Sequence, residues 1–141
     1  MKAPKITPFL WFDKDAEAAA NYYCSIFQNA KINSVNPLVV SLEIEGQNLL
    51  LLNGGPKFKL DEAFSLSISC ETQEEIDYYW EKLSEGGRED MCGWLRDKYG
   101  LSWQVVPAVL PQLMNNPERA DRVIHSFLKM RKFDIQTLLN A

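Results

Sequence analysis

Residues 92–107, reading Cys-Gly-Trp-Leu-Arg-Asp-Lys-Tyr-Gly-Leu-Ser-Trp-Gln-Val-Val-Pro, gather the side chains of this sequence best equipped for chemistry. An amide (Gln104) and a hydroxyl (Ser102) can orient a polar ligand, an indole (Trp94) can stack on a flat one, and a thiol (Cys92) can attack if its pKa is depressed. No histidine is near Cys92 in sequence, so its expected role is structural. Gly100 reads as a turn into a strand over 101–106 that Pro107 stops. Alternation then places Leu101, Trp103 and Val105 on one face and Ser102, Gln104 and Val106 on the other. One uncharged amide on a face otherwise small or apolar is the make-up of a pocket wall, and it must find a partner in a ligand or in neighbouring backbone. Trp11, Trp94 and Trp103 serve such a wall or the core.

The elements that position this stretch follow from periodicity. Residues 6–12 are aromatic and apolar, as in a mostly buried strand, with Pro8 marking an irregular start. From 15 to 27 the apolar residues Ala16, Ala19, Ala20, Tyr23, Ile26 and Phe27 recur at helical spacing, with Asp13 or Asp15 available as cap. Strands are expected over 31–35, 38–45 and 47–52, closed by the turn Asn53-Gly54-Gly55-Pro56. The order then repeats. Residues 64–70 alternate at period two, and Thr72 with Glu75 forms a capping box that opens a helix with Ile76, Tyr79, Trp80 and Leu83 on its apolar side. Tyr22-Tyr23 and Tyr78-Tyr79 fall at the same stage of the two helices, so the chain reads as two similar halves. A tail follows, with helical segments at 109–114, 117–132 and 135–139. The apolar stripe of the middle one is suited to docking on the domain.

Composition narrows the partners. At 141 residues, 46% hydrophobic and 24% charged, the chain is expected to be a single globular domain over 1–141. Fifteen basic against 19 acidic residues give a net charge of −4, which lacks the cations a nucleic-acid partner requires. Lys129, Arg131 and Lys132 read as a solvated helix end. The three cysteines, Cys24, Cys70 and Cys92, form no Cys-x-x-Cys pair, so neither zinc nor a disulfide framework is indicated and a reducing compartment fits. Residues 1–8 have no apolar signal core, and no apolar run is long enough to cross a bilayer. A cytoplasmic protein with no membrane partner is expected.

Residues 6–13 (Ile-Thr-Pro-Phe-Leu-Trp-Phe-Asp), Asn53-Gly-Gly55, Cys92-Gly-Trp94, Asp97 and residues 100–107 closely resemble the PhnB-like family, often labelled 3-demethylubiquinone-9 3-methyltransferase-like. That family looks like a branch of the vicinal oxygen chelate (glyoxalase/bleomycin resistance/dioxygenase) superfamily. The resemblance implies an α+β fold of duplicated βαβββ modules, over 5–56 and 63–107, with a mixed sheet curled around a cavity. To it this chain adds a helical C-terminal extension over 108–141. It also implies a homodimer, and the short link between Ile32 and Leu38, where relatives carry a longer loop, implies a more open side to the cavity.

Metal-using members of that superfamily take His and Glu ligands from the first and last strands of each module. Here the matching positions hold Ile6, Thr7 and Pro8, a serine- and leucine-bearing strand at 64–68, and a row of leucines. Gln104 alone could coordinate, and a neutral amide by itself is a poor ligand set, so no metal is expected. His125, the sole histidine, lies in the tail beside an apolar stripe and is expected at the surface or satisfied in the core. No strand runs through a Gly-rich turn into a helix to hold S-adenosylmethionine, so no cofactor is expected either. The expectation is a glyoxalase/bleomycin-resistance-like homodimer that binds a small, partly aromatic or amphipathic metabolite without metal, its cavity lined by Leu10, Asn53, Trp94, Ser102 and Gln104. Alternatives are an isomerase, lyase or dioxygenase of the same fold, the methyltransferase implied by the family label, or a drug-sequestering resistance protein.

Overall fold

The structure, a computed structural model, describes residues 4–141. Residues 1–3, at the head of the expected lead-in to the first strand, lie outside the described residues. The chain divides into two compact units, Met1–Leu60 and Asp61–Ala141.

The first unit runs β1 (Phe9–Phe12), α1 (Ala16–Ile26), β2 (Ala30–Val35), β3 (Val39–Ile44) and β4 (Gln47–Asn53). Its sheet has the order β1-β4-β3-β2, with β1 parallel to β4 and the other pairs antiparallel. Ala16, Ala19, Ala20, Tyr23 and Ile26 are the buried side of α1. They share the core with Leu10, Phe12, Val40, Leu42, Ile44, Leu49 and Leu51, all no more than 6% exposed. Burying each larger aliphatic side chain contributes about 2 kcal/mol relative to leaving it in water. The first strand begins at Phe9 rather than at residue 6, because Pro8 has no N–H to give a ladder, although its carbonyl accepts from the Leu50 N–H (3.0 Å). Asp15 occupies the cap position of α1 but its side chain makes no capping bond. The Ala16 N–H donates instead to Asn53 Oδ1 (2.9 Å), so the end of β4 caps the helix.

The second unit repeats the plan. Its elements are β5 (Ser65–Cys70), α2 (Gln73–Ser84), β6 (Arg88–Glu89), β7 (Trp94–Arg96) and β8 (Ser102–Pro107), in the order β5-β8-β7-β6 with β5 parallel to β8. The equivalent order and the equivalent parallel pair make the α+β duplication explicit, and each unit keeps its own four-stranded mixed sheet. The capping box forms with a shift of one residue: Thr72 Oγ1 accepts from the Glu75 N–H (3.2 Å), while Glu75 Oε1 accepts from the Glu71 N–H (2.8 Å). Ile76, Trp80 and Leu83 of α2 are buried with Cys70, Leu95, Trp103 and Val105 of the sheet.

The extension holds α3 (Leu110–Met114), α4 (Ala120–Phe127) and α5 (Ile135–Leu139). The helix expected over 117–132 is therefore cut to its middle. After Leu128 the N–H groups of Lys129 and Met130 turn to the Ser126 (3.4 Å) and Phe127 (2.9 Å) carbonyls and the helix ends, and the Met130 and Arg131 carbonyls accept from the N–H groups of Cys92 (2.7 Å) and Gly93 (2.8 Å). Phe133, 2% exposed, then packs over Gly93, where a Cβ would lie 2.3 Å from the ring. Gly93 (φ +79°) and Cys92 (φ +60°) are both left-handed, so this glycine is required by conformation and by space alike. Gln73 completes the clasp, donating to the Phe133 carbonyl (2.9 Å) and accepting from the Ile135 N–H (2.8 Å). Among the described residues no helix is long and apolar enough to cross a membrane.

Candidate functional site

Strand parity sorts the sequence-nominated residues. In the second sheet the helix-covered side carries Leu95, Trp103 and Val105, so the opposite side carries Trp94, Arg96, Ser102, Gln104 and Val106. The β5–β8 register adds Ser65, Ser67 and Ser69 to that side, opposite Ser102, Gln104 and Val106. Trp94 pairs with Gln104 and Arg96 with Ser102 across β7 and β8. Three nominated residues, Trp94, Ser102 and Gln104, thus share one serine-rich face. Gln104 Nε2 donates to Ser65 Oγ (3.0 Å), which fixes the amide on this wall. Ser102 is 1% exposed, and among the described residues its Oγ has no partner; Arg96 Nε is likewise buried without one.

The rim of the face is charged. Glu62 accepts from Arg88 Nη2 (3.0 Å) and from Arg96 Nη2, and Arg88 also pairs with Asp90 (2.9 Å). The Arg88 hydrogen bond, helped by the nearby Arg96 charge, holds the Glu62 carboxyl below the usual range. Arg96, Arg88, Glu62 and the β5 serines escaped the sequence reading as site residues. The serines were traceable, since Ser65, Ser67 and Ser69 alternate with Leu66 and Ile68.

The other two nominated residues lie elsewhere, in the first unit. Leu10, at 1% exposure, is on the α1 side of its sheet. Asn53 uses its Oδ1 to cap α1 and its Nδ2 to donate to the Pro37 carbonyl (3.2 Å). The side of that sheet away from α1 carries Phe9 and Trp11 on β1. Trp11 donates to the Gly55 carbonyl (2.9 Å) and lies so close to Gly54 that a Cβ there would be 2.4 Å from the indole.

The stretch 92–107 owes its shape to Asp97. This carboxylate, 2% exposed, accepts from the N–H groups of Tyr99 (2.8 Å) and Leu101 (3.2 Å) and from Trp103 Nε1 (2.8 Å). It ties the turn before β8 to the core indole, which sets where Ser102 and Gln104 emerge. Cys92 is a half-buried part of the clasp with the extension. His125 lines a separate open cleft of about 990 Å³ in the extension, together with Asp121, Arg122, Lys129 and Asp134.

Sheets built as β1-β4-β3-β2 and β5-β8-β7-β6 on paired βαβββ units are the arrangement of the glyoxalase/bleomycin-resistance fold. The structure of FosX, a fosfomycin resistance protein from Listeria monocytogenes complexed with Mn(II) and sulfate, shares this fold (TM-score 0.58, 16% identity, 86% of this chain and 98% of that one). So does protein PA1353 from Pseudomonas aeruginosa (TM-score 0.61, 18% identity, 74% and 98%). A PhnB protein from Bacillus cereus, bearing the 3-demethylubiquinone-9 3-methyltransferase label, is similar at 33% identity (TM-score 0.70, 74% of this chain and 100% of that one). The profile of the 3-demethylubiquinone-9 3-methyltransferase family matches residues 4–106, and the chain belongs to that family. No curated protein matches it significantly.

The groups these names imply do not fit the residues present. Among the described residues no cluster of three or more His, Cys, Asp or Glu side chains could hold a metal ion. Gln104, the one coordinating side chain at an implied ligand position, presents its amide nitrogen to Ser65. For S-adenosylmethionine, the strand-to-helix junctions are Asp13-Lys14-Asp15 and Glu71-Thr72, without a glycine in either, and neither sheet is doubly wound and parallel.

Proposed function

We propose that this chain binds a small metabolite without metal, on the Trp94–Ser102–Gln104 face of the second unit, and works as a cytoplasmic homodimer. The observation that carries this reading is the buried Ser102 hydroxyl, which lacks a partner on a face whose amide is already oriented by Ser65. Buried hydroxyls are nearly always bonded, so one left unmet within a polar face is suited to a ligand group that enters there. Trp94, half-buried opposite Gln104, supplies an apolar surface for the ligand body. In this reading residues 1–141 act as one domain made of modules 5–56 and 63–107 and an extension, 108–141, that braces the Cys92–Gly93 turn. The net charge of −4 argues against nucleic acid as a partner.

The test is a thermal-shift and native mass-spectrometry screen of untagged protein against central metabolites, with elemental analysis of the same sample. Saturable binding by a dimer with substoichiometric metal supports the proposal. Stoichiometric divalent metal, or methyl transfer from S-adenosylmethionine, overturns it in favour of an enzyme. Binding confined to antibiotics, without turnover, would replace it with drug sequestration.

A further inference from the structure

The oxygen chemistry of the ligand can be read from two cross-strand neighbours. Arg96 and Ser102 stand directly opposite on β7 and β8, so their Cβ atoms are about 5 Å apart on one face. Each has a buried polar atom without a partner, the guanidinium Nε and the hydroxyl Oγ. Leaving two such donors unmet side by side is unfavourable unless something else satisfies them. The flanking register adds a second cost, because Arg88 lies directly opposite Arg96 on β6, and like charges in that position repel. Carboxylates offset this unequally. Arg88 has both Glu62 and Asp90, whereas Glu62 reaches Arg96 only through Nη2. A guanidinium presents parallel N–H groups to a two-oxygen acceptor. On Arg96 one of these, Nε–H, is unused.

We propose that this corner is an oxyanion subsite, in which a carboxylate or phosphoryl oxygen of the ligand accepts from Arg96 Nε–H and Ser102 Oγ–H. Gln104, next along the same face, meets the neutral polar part of the ligand, and Trp94 covers its body. Glu62, exposed and of the same acceptor class, competes for Arg96 from the rim. The inference rests on the binding reading above and names the chemical class it would select.

The experiment follows the Arg96 Nε–H and Gln104 side-chain amide resonances in ¹H–¹⁵N spectra of the full chain. Inorganic phosphate and acetate are titrated separately, with chloride keeping ionic strength constant. A saturable shift of Arg96 Nε–H is expected, weakened about tenfold in Ser102→Ala by loss of a charge-assisted bond and tightened in Glu62→Gln by loss of the competitor. Saturation by acetate alone assigns a carboxylate, and saturation by phosphate a phosphoryl or phosphonyl group. Ser102→Ala removes one oxygen and keeps the fold, so equal affinities of Ser102→Ala and the parent chain would overturn the subsite, as would a shift that never saturates. Neutral metabolites that move Gln104 while neither oxyanion moves Arg96 would overturn the subsite and leave the binding-protein reading standing. Silence from all three probes would remove both.

Discussion

Replacing Asp97 by Asn tests whether the stretch that carries Ser102 and Gln104 is held by one buried carboxylate. The substitution keeps the shape and removes the charge. One remaining oxygen can still accept from Tyr99 and Leu101, whose N–H groups both donate to Oδ1, but the new amide nitrogen faces the Trp103 indole N–H that Oδ2 now accepts at 2.8 Å. A hydrogen bond to a charged group contributes about 1.5–3 kcal/mol, and a buried donor left unmet costs about 1–3 kcal/mol, so Asp97→Asn is expected to lose about 3 kcal/mol. Trp103 is 2% exposed, so water cannot replace the lost acceptor. Urea melts at pH 7 should show a lower midpoint at unchanged slope. Trp103→Phe removes the donor, and in that background Asp97→Asn should cost at least about 1 kcal/mol less, because the two side chains are directly coupled. A loss under about 1 kcal/mol for Asp97→Asn, or strict additivity with Trp103→Phe, would mean that other bonds hold this turn.

Gly93→Ala should destabilise by about 3 kcal/mol, combining left-handed strain with a methyl driven into Phe133, and lower the melting temperature by about 9 °C. Asn53→Ala should cost about 2 kcal/mol by losing both the cap of α1 and the bond to the Pro37 carbonyl, whereas Asn53→Asp keeps the acceptor for Ala16, loses the second bond and should recover only part; a loss in Asn53→Ala no larger than in Asn53→Asp would argue against the cap. Burial, followed by the Glu75 charge, pushes the Cys70 thiol up to about 12 from 9.0, so the folded state holds its proton where the unfolded state loses it. That contribution is complete below pH 9 and lost toward pH 12, with stability falling by up to about 1.4 kcal/mol per pH unit in that window. Alkylation at pH 9 should spare Cys70 until urea unfolds the chain, and rapid labelling of the native protein would contradict the burial.

The fold was legible where the pattern is local. Helices α1 and α2 came within a residue or two of their periodic stripes, and β3 and β4 within one, because each buries a single face against its neighbours. The errors arose where distant groups decide. The tail helix has an apolar stripe through Met130, yet its bonding tightens after Leu128 and the Met130 and Arg131 carbonyls are docked on the N–H groups of Cys92 and Gly93, a contact that no periodicity announces. β6 and β7, two and three residues long, are too short to carry a period; β7 exists because β8 offers it an edge, and β6 because β7 does.

The same division governs the site. Ser102 and Gln104 are two residues apart on one strand, so alternation alone puts them on one face, and Gly100 supplies the turn that starts the count. Leu10 and Asn53 also obey alternation, but parity says only that a face exists; which face a helix covers depends on where α1 docks, and it docks on theirs. Arg96 is harder still. Its meaning comes from lying opposite Ser102 on one side and Arg88 on the other, registers fixed by the Asp97–Gly100 turn into β8 and by the hairpin around the left-handed Cys92–Gly93 turn. Glu62, which meets the resulting charge, lies 34 residues away in sequence. A like-charge pair across two short strands costs stability wherever it occurs. Here Glu62 and Asp90 offset the pair, and what packing leaves unmet is narrower: Arg96 Nε and Ser102 Oγ, the two atoms that the proposed oxyanion would satisfy.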